Sequence, residues 1–440
     1  MSKLLRIRMM ERSKQSVLSS LEGKCMPGSN PARGFLALSH RKRRLSAGLL
    51  SKSLISLFAC LSSLVAPSAS ADDFFSDFRL NGYISQAVIH TSDNNFFGNS
   101  DDSISFDYTE IELLLSAAFW RDFQFSSSLL SRRAGESDDG EIRVDHAFLS
   151  YSFFNDIEWS LGTRLGRLKL PVGLYGDTRD VSFTRPGILL PQSIYLERFR
   201  DPMFAIDGFE LYGQRSWDLA NVSWQIALTQ NHPDTKYFAD VLRYEVDDSD
   251  VSTKPSGAAR VIYDWDAGRL RLGLTYGMLN YEIDNGDNPI AQALGMTGVE
   301  TQISTRAVIW SMEYNTKNWK FVGEYLPQWN RMSNTLTGLD FDTQGLSYYL
   351  QTTYRFQPAW ELIFRRSIYY LDKNDKNGST FEQRIASKAQ DMMTLVTAQP
   401  GLLAIPEFAA LAQQFNTQSL SGHTTFAKNW VIGVGWHISS

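Results

Sequence analysis

Asn429-Trp430-Val431-Ile432-Gly433-Val434-Gly435-Trp436-His437-Ile438 is the stretch on which the fold turns. In an extended strand successive side chains point to opposite faces. Trp430, Ile432, Val434, Trp436 and Ile438 then share one face, and Asn429, Gly433, Gly435 and His437 share the other, with Val431 an apolar exception. One face is wholly apolar and carries a tryptophan near each end. That pattern suits a strand with lipid on one side and aromatic rings at both interfaces.

The same alternation recurs upstream. Val222, Trp224, Ile226 and Leu228 alternate with Ser223, Gln225, Ala227 and Thr229. Leu270, Leu272, Leu274, Tyr276 and Met278 alternate with Arg269, Arg271, Gly273, Thr275 and Gly277. Strands are expected near 78–90, 103–118, 122–131, 141–152, 157–169, 207–215, 219–230, 256–264, 268–281, 302–314, 319–328, 342–356, 359–370 and 425–438, fourteen in all. The joints between them alternate short and long. Trp120-Arg121-Asp122, Phe154-Asn155-Asp156, Ser216-Trp217-Asp218, Asp264-Trp265-Asp266-Ala267, Asn315-Thr316-Lys317-Asn318 and Gln357-Pro358 are tight. The gaps at about 91–102, 132–140, 170–206, 231–255, 282–301, 329–341 and 371–424 are long and polar, and Phe381–Gln399 in the last is expected to be helical.

A sheet with tight turns on one edge and long loops on the other is the signature of a transmembrane barrel with short periplasmic turns and long outer loops. A soluble β-sandwich also alternates, but it lacks this regular bookkeeping and needs no export signal. The expected fold class is therefore all-β, a transmembrane antiparallel β-barrel with fourteen visible strands. After residue 72 no window has the ~18 consecutive apolar residues a membrane helix needs. Mean hydropathy is −0.25. Such a composition is compatible with a bilayer because a closed barrel satisfies its backbone between strands.

Residues 1–71 are read as an N-terminal extension with a secretory signal, and 72–440 as the barrel. Arg41-Lys42-Arg43-Arg44 precedes an apolar run centred on Leu54–Leu61, and Ala69-Ser70-Ala71 follows, the n-region, h-region and A-x-A order of a signal peptide. The first 71 residues hold 12 of the 43 Lys and Arg and 2 of the 48 Asp and Glu, leaving 31 basic against 46 acidic residues, a net of −15. Both cysteines, Cys25 and Cys60, lie in the removed part. An acidic, cysteine-free exported chain fits the outer membrane of a Gram-negative cell and argues against nucleic acid as a partner. No G-x-S-x-G or H-E-x-x-H pattern occurs, the histidines are scattered and the carboxylates fall mostly in loops, so no enzyme is expected. No cofactor or metal site is expected either. Asp247-Asp248-Ser249-Asp250 reads as a solvated acidic loop in preference to a cation site.

The third outer loop stands apart. Pro171–Pro186 and Leu190–Tyr195 are rich in Pro, Gly and apolar residues. Residues 164–200 carry Arg164, Arg167, Lys169, Arg179, Arg185, Arg198 and Arg200 against Asp177, Asp180 and Glu197, a local net of +4. Folded into the lumen, this loop would place fixed charge at a constriction. Arg271, Arg355 and Arg365, with Arg164, fall on lumen-facing parities; they could form a basic wall or pair with acidic side chains across the lumen. After Gly166 the parity slips, so Arg167 and Lys169 need a bulge or the strand's end to avoid lipid.

Leu165-Gly166-Arg167-Leu168-Lys169-Leu170-Pro171-Val172-Gly173-Leu174, with Arg185-Pro186 and Asp207-Gly208 downstream, resembles the phosphate-selective porin O and P family and its relatives. The resemblance implies a sixteen-stranded, usually trimeric channel with loop three folded inward. The last residues, His437-Ile438-Ser439-Ser440, fall at a short turn, so a sixteen-stranded protein would need one further hairpin. The expected function is a passive channel for small hydrophilic solutes or ions, with a weak anion preference guessed. Its expected partners are outer-membrane lipid and lipopolysaccharide, the solutes, and two further copies in a homotrimer. Binding or adhesion through the outer loops is the alternative, and an outer-membrane enzyme a more distant one.

Overall fold

The structure is a computed structural model that describes residues 76–91, 97–119, 122–135, 138–179, 181–197, 205–229, 251–284, 292, 297–335, 338–398 and 426–436. Its strands are β1 (Ser76–Gln86), β2 (Tyr108–Phe119), β3 (Phe123–Ala134), β4 (Asp139–Asn155), β5 (Trp159–Lys169), β6 (Ala205–Ser216), β7 (Ala220–Thr229), β8 (Val251–Thr253), β9 (Ser256–Trp265), β10 (Leu270–Asp284), β11 (Glu300–Asn315), β12 (Trp319–Asn334), β13 (Leu339–Gln357), β14 (Trp360–Tyr370) and β15 (Phe426–Trp436). One helix, α1 (Ser379–Ala398), lies within the long segment after β14 where a helix was expected. Asp375 accepts the Phe381 N–H at 2.9 Å near its start.

All strands belong to one sheet in the order β1-β2-β3-β4-β5-β6-β7-β9-β10-β11-β12-β13-β14-β15, with the short β8 paired to β10. The fourteen expected strands are the fourteen on this path, and neighbours with a defined register are antiparallel. β8 was not expected; three residues are too few to show alternation.

The tight joints fall within one or two residues of the expected ones between β4 and β5, β6 and β7, β11 and β12, and β13 and β14. The one expected at Asp264–Ala267 lies two residues later, because Asp264 and Trp265 still pair in β9, and Trp120 and Arg121 lie outside the described residues. The joint between β9 and β10 is the four residues 266–269, where Asp266, Ala267 and Gly268 adopt φ of 50°, 54° and 83° and the Arg269 N–H donates to the Asp266 carbonyl at 3.0 Å. The long joints need correction at two places. The gaps expected at 132–140 and 329–341 are short in the structure: β3 and β4 are joined by 135–138, and β12 and β13 by 335–338. Ladder pairing continues to Arg133↔Asp139 and Asn334↔Leu339, so polar residues that read as loop are strand. Gly135 and Gly338 then turn the chain with φ of 58° and 62°.

The sheet is inverted relative to a soluble protein. Trp310, Met312, Leu350, Phe364 and Ile432 are exposed on one face, with Leu350 at 67% and Trp310 at 57%. The other face buries Glu110, Glu112, Arg132, Glu210, Glu324, Gln351 and Arg365. A water-soluble sandwich would do the reverse; this arrangement suits hydrocarbon outside and a polar lumen inside. Near the tight turns, Trp159, Trp265, Trp319 and Trp360 are exposed, and Trp319 packs on Tyr354 with ring centroids 4.4 Å apart. They form one interfacial aromatic belt.

Candidate functional site: loop three across the polar face

The segment between β5 and β6 is held on the buried polar face by contacts with strands from both flanks of the sheet. On one flank, Arg185 donates to both carboxylate oxygens of Glu110 on β2 at 2.8 and 2.9 Å and to Tyr108 Oη at 3.1 Å. Arg132 on β3 donates to Glu110 at 3.1 Å and also to Glu197 of the loop. On the other flank, Arg365 on β14 donates to the Leu189 carbonyl at 3.2 Å. In the middle, Arg260 on β9 donates to the Gly173 carbonyl at 2.8 Å and to Asp177. Glu324 on β12 accepts from Leu174 N–H at 2.9 Å and Tyr195 Oη at 2.8 Å. Tyr175, Leu190, Ile194 and Tyr195 pack with Ile309, Val322, Leu326 and Tyr349 in one apolar cluster.

These contacts fix the curvature. β2 and β14 are eleven steps apart in the strand order, about 50 Å across a flat sheet at ~4.8 Å per strand. Arg185 and Leu189, which reach them, are four residues apart, and four extended residues span at most about 14 Å. The sheet must therefore curl until β2 and β14 face each other across loop three. Consistently, Val88–Thr91 just after β1 and Asn429–Gly433 of β15 border one cavity of about 70 Å³, with Leu189 and Arg365 in its wall. The fold is a curled all-β antiparallel sheet with its third loop folded onto the polar inner face, an arrangement that fits the transmembrane barrels of Gram-negative outer membranes.

Five of the ten expected basic residues, Arg164, Lys169, Arg185, Arg271 and Arg355, sit opposite carboxylates. Arg164 pairs with Glu210 at 2.6 Å and stacks over Tyr212 at 4.3 Å. Lys169 pairs with Asp145 at 3.2 Å. Arg271 pairs with Asp264 at 2.6 Å, and Arg355 lies 3.6 Å from Glu361. Arg185 is buried against Glu110; burial alone would lower its pKa, but Tyr108 and Glu110 outweigh that and raise it above the ordinary value. Arg179 is buried and its carbonyl accepts from Arg185 Nε at 2.6 Å. Arg167 stays on the outward parity, opposite Ala147 and Asp207 near the end of β5. Arg365 is the exception among the lumen-facing candidates: besides Leu189 it donates to Gln351 Oε1 at 2.9 Å, and no carboxylate pairs with it among the described residues. Arg198, Arg200 and the Asp247–Asp250 run lie outside the described residues.

Glu110, Glu112, Glu210 and Glu324 lie in the strands expected at 103–118, 207–215 and 319–328 and are buried on the inner face; they are the site residues that the sequence did not single out. Each interrupts a run whose outward neighbours are apolar, and that parity was the available signal. Burial of Tyr195, together with the nearby Glu324 charge, pushes its hydroxyl pKa well above the ordinary tyrosine value, so it stays a donor.

No family model and no curated protein sequence matches the chain. Among solved structures it is similar to the anion-selective porin from Comamonas acidovorans, at 12% identity over 68% of this chain and 80% of that one, with a TM-score of 0.41. It is similar to OprB of Pseudomonas putida in its high-pH structure, at 9% identity over 86% and 96%, with a TM-score of 0.40. It is also similar to the outer membrane channel DcaP of Acinetobacter baumannii, at 11% identity over 67% and 79%, with a TM-score of 0.36.

Proposed function

We propose that this chain is an outer-membrane porin, a passive diffusion channel for small hydrophilic solutes or ions in which loop three sets the constriction. The observation that carries the reading is the anchoring of one polar-faced loop to β2, β3, β9, β12 and β14 inside the curled sheet. A size filter and a field of fixed charges need no covalent chemistry. The segment Gly166–Leu174, which carries the likeness to phosphate-selective porins, joins the end of β5 to that loop, and a trimeric assembly belongs to the same reading.

Arg164, Arg167, Lys169, Arg179, Arg185, Arg198 and Arg200 are proposed to shape the constriction field. Pairing of Arg164, Lys169 and Arg185 with carboxylates leaves a weak anion preference, since each pair cancels much of its own field at a distance. The test is conductance and reversal potential of the folded chain in a planar bilayer under a salt gradient. Absence of conductance overturns the channel, and a cation-selective reversal potential overturns the basic constriction.

A further inference from the structure

Away from loop three's anchors, Glu112 on β2 and Asp145 and His146 on β4 bring one ligand atom each within 4.8 Å of one another, and all three residues are buried. Two features set this group apart from an ordinary ion-pair cluster. First, its nitrogen ligand is unspent: Nδ1 of the buried His146 lacks a hydrogen-bond partner among the described residues, as does the Ser128 hydroxyl, while Glu112 has the Tyr83 hydroxyl as its hydrogen-bond partner. Ser128 stands directly opposite His146 in the β3–β4 register. A buried acceptor without a donor is costly, and an imidazole lone pair held within 4.8 Å of two buried carboxylates points to an electrophile shared by the three. Second, His146 is already oriented. Its Nε2 lies 3.2 Å from Ser126 Oγ; with Nε2–H donating there, Nδ1 keeps its lone pair. Fixing a ligand histidine through its other nitrogen is the usual outer-shell device of metal sites.

A β-bulge creates the geometry. The β3–β4 register shifts between Ser128 and Leu129, so Asp145 is the extra residue and stays buried beside His146. Tyr83, Lys169 and Arg164 complete the surroundings.

We propose that Glu112, Asp145 and His146 form a binding site for a divalent transition-metal ion of the Zn²⁺ type, tying β2 to β4 on the inner wall. Two carboxylates and an imidazole suit Zn²⁺, whose oxygen and nitrogen ligands sit at ~2.0–2.2 Å with water free to complete the tetrahedron. An imidazole donor disfavours Ca²⁺ and Mg²⁺, which take oxygen ligands. The Lys169 ammonium, 3.2 Å from Asp145 Oδ2, is the metal's competitor.

The competition supplies a test that misfolding cannot mimic. The full folded chain in detergent, stripped with chelator and dialysed against Zn²⁺, should retain one Zn²⁺ per chain. Glu112→Gln should weaken retention by about tenfold or more, as loss of a ligand or its support does. Lys169→Met, which removes the competing charge, should tighten it by about tenfold. Failure to retain stoichiometric Zn²⁺, or retention that neither substitution changes, overturns the site. The readout is metal content alone, so it stands whether or not the chain conducts.

Discussion

Glu324 is the residue whose replacement should most clearly separate loop three from the wall. Its two carboxylate oxygens take four hydrogen bonds: Leu174 N–H at 2.9 Å, Tyr195 Oη at 2.8 Å, Ser311 Oγ at 2.6 Å and Tyr349 Oη at 2.9 Å. Two of these donors belong to the loop and two to neighbouring strands. Hydrogen bonds to a charged group contribute about 1.5–3 kcal/mol each, so Glu324→Ala should weaken loop docking by about 3–6 kcal/mol. Glu324→Gln keeps the shape and one acceptor but loses the charge, so its cost should be about half of that. Arg260 still holds the Gly173 carbonyl and Asp177, and Arg185 on Glu110 and Arg365 on Leu189 grip the loop further along. Release should therefore be local, loosening the loop at Leu174 and Tyr195 while the sheet stays intact. Two measurements read this. Limited proteolysis should cut the Ala variant within 170–195 under conditions that leave the parent whole, with Gln intermediate. Single-channel recordings should show a larger, noisier open current. Protease resistance equal to the parent in the Ala variant would refute the reasoning, independently of whether the chain conducts.

Arg185→Ala takes two charge-assisted hydrogen bonds from the buried Glu110, and breaking a buried pair from one side costs about 3–5 kcal/mol; denaturant titration in detergent should show it, and an unchanged midpoint would count against the network. Gly208→Ala would set a Cβ 2.1 Å from the Leu228 backbone oxygen; the overpacking should cost about 1–3 kcal/mol and separate the ends of β6 and β7, read as lost amide protection at Thr229. Leu350→Arg on the exposed apolar face should cost about 2–4 kcal/mol if it meets the bilayer midplane; equal folding yields into lipid vesicles would argue that this face does not meet lipid.

The sheet was legible because alternation is a local signal. Trp430, Ile432 and Val434 announce an outward face whatever surrounds them, and the structure exposes all three. The tips of β3–β4 and β12–β13 were not legible. Residues such as Asn330, Arg331 and Asp340 are polar on both parities, so once a hairpin leaves the apolar layer its strands read as loop. The inner face was half legible. Parity located Arg164, Arg271, Arg355 and Arg365, but nothing local reveals that Glu210 lies beside Arg164 or that Glu110, Arg132, Arg185 and Glu197 form one cluster. Those pairings join residues 22 to 75 positions apart. The Glu112, Asp145 and His146 group was hidden for a further reason: a bulge, invisible to period-two reading, puts two consecutive residues into it.

Loop three also acts as a caliper. Because Arg185 grips β2 while Leu189, four residues on, is gripped from β14, the loop sets how far apart those two walls stand. Adding or removing a strand, or sliding one flank along the other, would move both grips at once, and the buried guanidiniums of Arg185 and Arg365 would lose their acceptors together. The segment that narrows the lumen is thus the same one that gauges its girth, so an insertion of even a few residues between Arg185 and Leu189 is a change to the circumference of the sheet as much as to its opening.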